Sequence, residues 1–142
     1  MSVASILMSK GSDEVLTIGP DAPVSEAAKT LSERRVGSLV VTDGGAVVGI
    51  LSERDIVRGL SQCGASVLTQ PVRALMTEKV ESCTRSETID NVMRKMTDGR
   101  FRHMPVMESG KLVGVISIGD VVKHRIADLQ HEAETLRGYV MS

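Results

Sequence analysis

The sequence has 142 residues, with 17 Lys and Arg against 18 Asp and Glu and a formal net charge of −1. It is 42% hydrophobic and 25% charged but only 1% aromatic, with one Phe, one Tyr and no Trp. This length allows one sizeable core, which has to be aliphatic. The balanced charge and scarce aromatics argue against nucleic-acid binding, which needs a basic patch or a stacking platform.

Cysteine spacing and hydropathy argue against a metal site and a membrane span. Cys63 and Cys83 lie in no C-x-x-C motif and have no His in ligand spacing, so free thiols are expected. The N-terminal residues lack the basic flank and apolar stretch of a signal peptide. No apolar run reaches the roughly 20 residues of a transmembrane helix. We therefore expect a cytoplasmic protein that binds neither membrane nor nucleic acid.

An internal repeat organises the chain. Residues 15–60, the first copy, align without a gap on residues 80–125, the second copy, at an offset of 65. The identical pairs are Val15/Val80, Val41/Val106, Gly45/Gly110, Val48/Val113, Gly49/Gly114, Ser52/Ser117, Asp55/Asp120 and Val57/Val122. A long period that occurs twice predicts two supersecondary units packed face to face, since an open solenoid needs about three repeats or more.

Each copy predicts the order strand, helix, strand, strand, helix. An extended segment, 15–18 or 80–83, precedes a helix whose cap candidate is Asp21 or Ser86. The apolar residues at helical spacing are Val24, Ala27, Ala28 and Leu31 in the first copy and Ile89, Val92, Met93 and Met96 in the second. β-Branched runs then predict hairpins, at 38–41 with 46–51 and at 103–107 with 112–116.

The segments around the copies predict a short helix before each of them. Residues 3–8 resemble residues 72–77 at an offset of 69, which leaves four additional loop residues, 11–14, in the first copy. Between the copies, residues 61–71 are predicted to be a polar linker.

The last helix is expected to continue beyond the second copy. Its apolar residues recur in steps of four and three, at Val122, Ile126, Leu129, Ala133, Leu136 and Val140. The stripe is compatible with packing on its own domain, but such a narrow heptad seam is more typical of a helix that meets a partner helix. We therefore expect a homodimer that uses the C-terminal helix.

The main chemical signal is the motif G-x-x-S-x-x-D, which occurs at residues 49–55 and 114–120. In both copies a strand runs into a helix there, and the N–H groups and positive dipole end of a helix start favour anions. A carboxylate one turn into the helix, Asp55 or Asp120, is suited to accept both hydroxyls of a ribose. Ser52 would be a neutral donor to a phosphate, and Arg54 its countercharge.

The competing interpretation of this motif is a capping box. In that arrangement the Ser side chain caps the helix, and the Asp three residues later reaches back to the Ser backbone. Duplication does not decide between the two, because a repeated helix needs a repeated cap. Gly49 and Gly114 favour binding slightly, since a glycine inside a strand often marks close approach of a ligand or another backbone.

The order of elements, the two corners and the segment Arg102-His103-Met104-Pro105-Val106 resemble a tandem pair of cystathionine β-synthase (CBS) domains over about residues 1–126. The resemblance implies an α+β fold of two β-α-β-β-α repeats packed with pseudo-twofold symmetry, plus a C-terminal helix. It implies repeats at 1–65 and 66–126 and a helical extension at 127–142.

In that family the pair binds adenosine-containing ligands, S-adenosylmethionine among them, in clefts between the repeats. The resemblance implies a stand-alone sensor of energy or metabolite state that binds AMP, ADP, ATP or NAD(H) and modulates an unknown partner protein. It implies no required cofactor, no catalytic residue and no metal. The implied ligand-binding residues are Thr17, Ile18, Ser38, Ser52, Arg54, Asp55, Val80, Cys83, Arg102, His103, Ser117 and Asp120.

The resemblance also implies two unequal sites. One would join Asp55 to residues 80–83 and to Arg102-His103, and the other would join Asp120 to Thr17, Ile18, Val36 and Ser38. Gly119 stands in the second copy where the first has Arg54, and Gly37-Ser38 stands where the second has Arg102-His103. The Asp55 site is therefore expected to be the more basic and to hold phosphate better.

Two other functions remain open. One is a structural dimerisation module without a ligand. The other is a nucleotide-hydrolysing enzyme that uses Asp55 and His103, but the sequence offers no nucleophile–base pair, metal-ligand set or phosphate loop for it. His124 and His131 are interpreted as a solvated helix face, and Cys83 as a small buried apolar residue.

Overall fold

A computed structural model gives the structure of residues 2–10 and 15–141. These residues form five α-helices: α1 (Val3–Lys10), α2 (Val24–Arg34), α3 (Glu53–Cys63), α4 (Ile89–Gly99) and α5 (Ile118–Met141). The strands are β1 (Thr17–Ile18), β2 (Ser38–Asp43), β3 (Ala46–Ser52), β4 (His103–Glu108) and β5 (Lys111–Ser117). Two 3-10 helices lie at Gly64–Thr69 and Val72–Ala74. This mixture confirms the predicted α+β class.

The described residues divide into two compact units. The first-copy unit is residues 15–80, and the second-copy unit joins residues 2–10 to residues 81–141. The boundaries predicted from the sequence place α1 with the first copy, whereas the structure groups it with the second. They also divide the last helix at residue 126, whereas α5 runs unbroken through that position.

The first-copy unit is built on a three-stranded sheet of order β1-β2-β3. β1 pairs parallel with β2, and β2 pairs antiparallel with β3. α2 connects β1 to β2, as a parallel pair requires, and α3 follows β3. The predicted order of strand, helix, strand, strand, helix is therefore confirmed in this copy.

The second-copy unit repeats this plan, but its first strand is reduced to one rung. β4 and β5 form an antiparallel hairpin, and Cys83 alone bridges in parallel to Val106. The predicted strand at 80–83 is wrong in extent, because Cys83 is the one buried side chain in that segment and Glu81 and Ser82 are exposed. A single inward-facing residue secures only a single rung.

The two copies match in backbone detail at the sequence offset of 65. Both hairpins shift register at the same point, after Val41 and after Val106. The equivalent rungs are Ile18↔Val41 with Cys83↔Val106, and Ser38↔Ser52 with His103↔Ser117. α2 and α4 are each followed by a C-cap arginine in the left-handed conformation, Arg35 (φ 54°) and Arg100 (φ 55°).

Each unit has its own aliphatic core, as the composition predicts. The apolar face of α2 buries Val24, Ala27 and Leu31 against β2, β3 and α3. The face of α4 buries Ile89, Val92 and Met96 in the second core, which also contains Val3 and Ile6 of α1. The helical spacing in the sequence therefore identified the buried faces of both helices.

The strand glycines Gly49 and Gly114 are points of close approach, and protein atoms fill both. A Cβ at Gly114 would lie 2.6 Å from Cδ2 of Leu7 in α1. A Cβ at Gly49 would lie 2.7 Å from Sδ of Met76 and 3.0 Å from the carbonyl oxygen of Thr77. Leu7 and Met76 are equivalent at the offset of 69, so each short segment covers the glycine of the copy in its own unit.

The predicted caps of α2 and α4 are wrong. Pro23 and Thr88 occupy the N-cap positions, and the Thr88 hydroxyl accepts from the Asn91 N–H at 3.1 Å. Pro23 and Thr88 are extended because each bridges to a neighbouring segment, at Pro71 and Ser2 respectively, which delays the helix start. Asp21 instead pairs with Arg73.

The segment between the copies is more ordered than the predicted polar linker. α3 continues to Cys63, and the 3-10 helix that follows buries Val67. The short helix predicted at 72–77 is a 3-10 turn that ends at Ala74, because Thr77 pairs with Ile50 in both directions, at 2.9 and 3.0 Å. The additional loop residues 11–14 lie outside the described residues.

Within residues 2–10 and 15–141, no helix has the length and apolarity that crossing a bilayer requires.

Gly49→Ala is expected to lower the free energy of unfolding by about 1–3 kcal/mol, and more than Gly114→Ala. The Thr77 carbonyl at Gly49 accepts from the Ile50 N–H and is fixed, whereas the Leu7 side chain at Gly114 is free to rotate away. Urea denaturation of both variants measures the difference. Gly19→Ala is the control, because its Cβ meets nothing within 4 Å. Equal losses at positions 19 and 49 would contradict the close contact.

Candidate functional site

Both G-x-x-S-x-x-D motifs fold as capping boxes. The Ser52 N–H donates to Asp55 Oδ2 at 2.9 Å, and the Asp55 N–H donates to Ser52 Oγ at 3.3 Å. The second corner repeats this exchange, with 2.9 Å from the Ser117 N–H to Asp120 Oδ2 and 3.1 Å from the Asp120 N–H to Ser117 Oγ. The capping interpretation of the motif is therefore confirmed in both copies.

Capping leaves one N–H group in the first turn of each helix without an acceptor among the described residues. The first N–H of α3, from Glu53, donates to the Gly37 carbonyl at 3.0 Å, and that of α5, from Ile118, donates to the Arg102 carbonyl at 2.8 Å. The third N–H of each helix belongs to the capping Asp. Within the described part of the chain, the second N–H, of Arg54 or Gly119, has no acceptor.

The Asp55 carboxylate is held by its own helix. Its residue is 8% exposed, and Oδ2 also accepts from the Ser52 hydroxyl at 3.1 Å. Oδ1 lies 3.7 Å from Nη1 of Arg58, whose side chain is 62% exposed. Arg54 is exposed in the first turn of α3. This corner therefore combines a carboxylate fixed by its capping box with two exposed cationic side chains.

The Asp120 carboxylate has a partner that the sequence analysis did not identify. Nζ of Lys10, the last residue of α1, lies 2.9 Å from Asp120 Oδ2 and donates to the Val115 carbonyl, also at 2.9 Å. Burial raises the pKa of Asp120, but the Lys10 hydrogen bond, the Ser117 N–H and the Lys10 charge outweigh it and hold the pKa below its usual range. The carboxylate is therefore ionised and already paired.

Two of the residues predicted to bind ligand lie beside these corners, and the others lie farther along the sheet or outside it. Ser38 is the register partner of Ser52, and His103 is the register partner of Ser117. Thr17 and Ile18 form β1, two strands away from Ser52 in the sheet. Arg102 directly precedes β4 and is exposed, and Val80 is half-buried outside regular secondary structure.

The predicted residues separate between the two units. Thr17, Ile18, Ser38, Ser52, Arg54, Asp55 and Val80 belong to the first-copy unit, and Cys83, Arg102, His103, Ser117 and Asp120 belong to the second-copy unit. The groupings of Asp55 with Arg102-His103 and of Asp120 with Thr17 combine residues of both units and stay predictions.

Cys83 is a structural thiol. Burial, with a smaller contribution from the Glu87 charge, raises its pKa to about 12, and its Sγ lies 3.8 Å from the Pro105 carbonyl. A thiol with this pKa stays protonated near neutral pH and is a poor nucleophile. Across the residues that the structure covers, no group of three or more His, Cys, Asp or Glu is arranged to hold a metal ion.

Comparison with known families and proteins gives a consistent result. The CBS domain model matches residues 3–62 and 72–127. The Arabidopsis thaliana protein called CBS domain-containing protein CBSX3, mitochondrial, is 33% identical over 147 aligned positions, which cover 98% of this chain and 71% of that protein. The CBS-domain protein ATU1752 of Agrobacterium tumefaciens is 47% identical with a TM-score of 0.83, over 88% of this chain and 99% of that one.

Two further similar structures contain adenosine derivatives. The CBS domain pair of MJ0100, complexed with 5′-methylthioadenosine and S-adenosyl-L-methionine, is 25% identical with a TM-score of 0.79, over 90% of this chain and 98% of that one. PAE2072 of Pyrobaculum aerophilum, complexed with AMP, is 27% identical with a TM-score of 0.74, over 84% and 89%.

Lys10→Met is expected to lower the free energy of unfolding at pH 7 by about 0.5–1 kcal/mol, because it removes a partly exposed ion pair. A carboxyl whose folded pKa is depressed stabilises the protein above its unfolded pKa of about 3.9, and this contribution is lost as pH falls through the folded pKa. The difference between wild type and variant should therefore shrink below about pH 4.

Urea denaturation between pH 2 and 7 measures this difference. Lys79→Met is the matched control, since Lys79 is equivalent to Lys10 at the offset of 69 and forms no ion pair among the described residues. A difference for Lys10→Met that stays constant over this pH range would contradict the pairing with Asp120.

Proposed function

This chain belongs to the CBS domain family as a tandem pair of repeats, and from that premise we propose that it is a regulatory module that binds adenosine-containing ligands. The observation that carries the proposal is the duplicated corner, where the capping Asp directly follows a residue whose helix N–H has no acceptor among the described residues. Structures of two similar CBS proteins with AMP, 5′-methylthioadenosine or S-adenosylmethionine support this ligand class.

The chemistry of each corner suits a ribonucleotide. Asp55 and Asp120 are hydrogen-bond acceptors whose orientation is fixed by the capping box, so a ribose diol would bind without reorganising the carboxylate. The remaining helix N–H, of Arg54 or Gly119, would donate to a phosphate oxygen at the positive end of the helix dipole. In the family arrangement, partly buried aliphatic side chains such as Ile18 and Val80 would contact the adenine faces.

The two corners differ in charge, and we propose that the Asp55 corner binds phosphate more tightly. Arg54 supplies a side-chain cation there, where the second copy has Gly119. AMP, ADP, ATP and NAD(H) are the candidate ligands of the module. Binding would regulate an unidentified partner protein through the difference in ligand affinity between two states of the module.

The ligand test compares wild type with Asp55→Asn and Asp120→Asn. Asn keeps an oxygen that accepts from the Ser N–H, so it preserves much of the cap while it removes the charge. A ligand at 100 times its Kd should stabilise wild type by about 2.7 kcal/mol, and each variant should lose the part that its corner contributes. Thermal shift and calorimetry with AMP, ADP, ATP, NAD(H) and S-adenosylmethionine measure this.

Asp98→Asn is the control, because Asp98 is exposed on α4 outside both corners. If none of these ligands stabilises wild type, the proposal fails, and the capping boxes would be the whole role of the two carboxylates. If wild type responds and both corner variants respond equally well, the ligand binds elsewhere.

We further propose that α5 forms a homodimer with a second copy of the chain. Its exposed apolar residues follow the heptad seam, with Ile126 51% exposed, Leu129 49% and Leu136 65%. Beside the seam, the basic residues Lys123 and Arg125 are followed by acidic residues at 128, 132 and 134 and then by Arg137. An antiparallel second copy would place Arg125 near the acidic residues of the other helix.

Leu129→Glu is expected to weaken self-association by at least about tenfold, because it places a carboxylate in the apolar seam. Sedimentation equilibrium over a range of protein concentrations measures the change. Gln130→Glu, an exposed position next to Leu129, is the control for added charge. A wild-type mass that stays monomeric at every concentration would rule out the dimer.

A further inference from the structure

Lys10, the last residue of α1, forms an ion pair with the Asp120 carboxylate. Lys10 lies 110 residues from Asp120 in the sequence, yet its Nζ is 2.9 Å from Oδ2. The two side chains are 38% and 26% exposed, so solvent only partly screens the pair. The Val115 carbonyl, also at 2.9 Å, fixes the ammonium group against β5.

Among the described residues, the Asp55 corner has no equivalent of this arrangement. Lys79 is the counterpart of Lys10 at the offset of 69, but it is exposed and pairs with no carboxylate in the described residues. The cations at the Asp55 corner, Arg54 and Arg58, come from α3 itself. At the Asp120 corner Gly119 replaces Arg54, and Lys10 supplies the nearby cation.

We propose that Lys10 is a specificity-determining residue that makes the Asp120 corner select phosphate-bearing adenosine ligands over uncharged or cationic ones. The proposal rests on the proposed function, in which the Asp120 carboxylate accepts the ribose hydroxyls. Oδ2 already accepts from the Ser117 N–H and the Lys10 ammonium, so a diol whose two hydroxyls take both carboxylate oxygens competes with Lys10 at Oδ2.

The charge of the ligand then determines how much binding free energy is lost when the Lys10 ammonium is displaced from Asp120. A phosphate gives the displaced ammonium a new acceptor, within the reach of a flexible four-carbon stem. A neutral nucleoside leaves the ammonium with the Val115 carbonyl as its remaining partner. A sulfonium ligand adds a second positive charge beside it. AMP should therefore bind better than 5′-methylthioadenosine, and S-adenosylmethionine least well.

The experiment isolates this corner in an Asp55→Asn background. Calorimetry measures the Kd of AMP, 5′-methylthioadenosine and S-adenosylmethionine with Lys10 intact and with Lys10→Met, Lys10→Arg and Lys79→Met. With Lys10 intact, AMP should bind at least about tenfold more tightly than 5′-methylthioadenosine. Lys10→Met should reduce this preference to within about twofold, whereas Lys10→Arg and Lys79→Met should keep it.

The outcomes separate this proposal from the function on which it rests. A preference for AMP that survives Lys10→Met overturns the role of Lys10 alone, because ligand binding itself is then intact. If no adenosine ligand binds to the Asp55→Asn protein or to wild type, both proposals fail. Circular dichroism melts show whether each variant is folded at the temperature of the titration, and the Lys10→Arg variant tests the charge in a side chain of similar length.

Discussion

The reciprocal hydrogen bonds between Ser and Asp at the strand–helix corner fix the geometry of the candidate site. They terminate the hairpin, start the helix and lock the Asp carboxylate in one orientation, in both copies. Because the same atoms serve the cap and the candidate site, capping and binding are not alternatives here. The cap supplies the preorganisation from which a ribose site would benefit.

Around this shared corner, the copies differ in the origin of their cations. Asp55 is accompanied by arginines of its own helix, whereas Asp120 is paired with a lysine from α1. α1 reaches that position because Leu7 packs on Gly114, where the missing side chain lets the helix approach β5 closely. Gly114 therefore affects the Asp120 corner indirectly, because it allows the close approach of α1, the helix that carries Lys10.

Much of the fold follows from local patterns in the sequence. The helical spacing from Val24 to Leu31 and from Ile89 to Met96 marks the buried faces, and the β-branched runs mark both hairpins, because burial of one face imposes these periods. The caps of α2 and α4 were predicted wrongly, because bridges at Pro23 and Thr88 delay those helix starts and are made to segments distant in sequence. Residues 80–83 have strand-like composition but a single buried residue, which only the packing reveals.

The sequence by itself determined the duplication, the order of elements and the two Ser–Asp corners, since each depends on patterns among residues that are close together in the chain. The sequence also showed that residues 3–8 resemble residues 72–77. This resemblance stops two residues before Lys10 and does not predict its ion pair. Only the tertiary structure decided that α1 joins the second copy and that Lys10 neutralises Asp120. An ion pair between residues 110 positions apart depends on the tertiary fold, and the local spacing of residue types in the sequence cannot predict it.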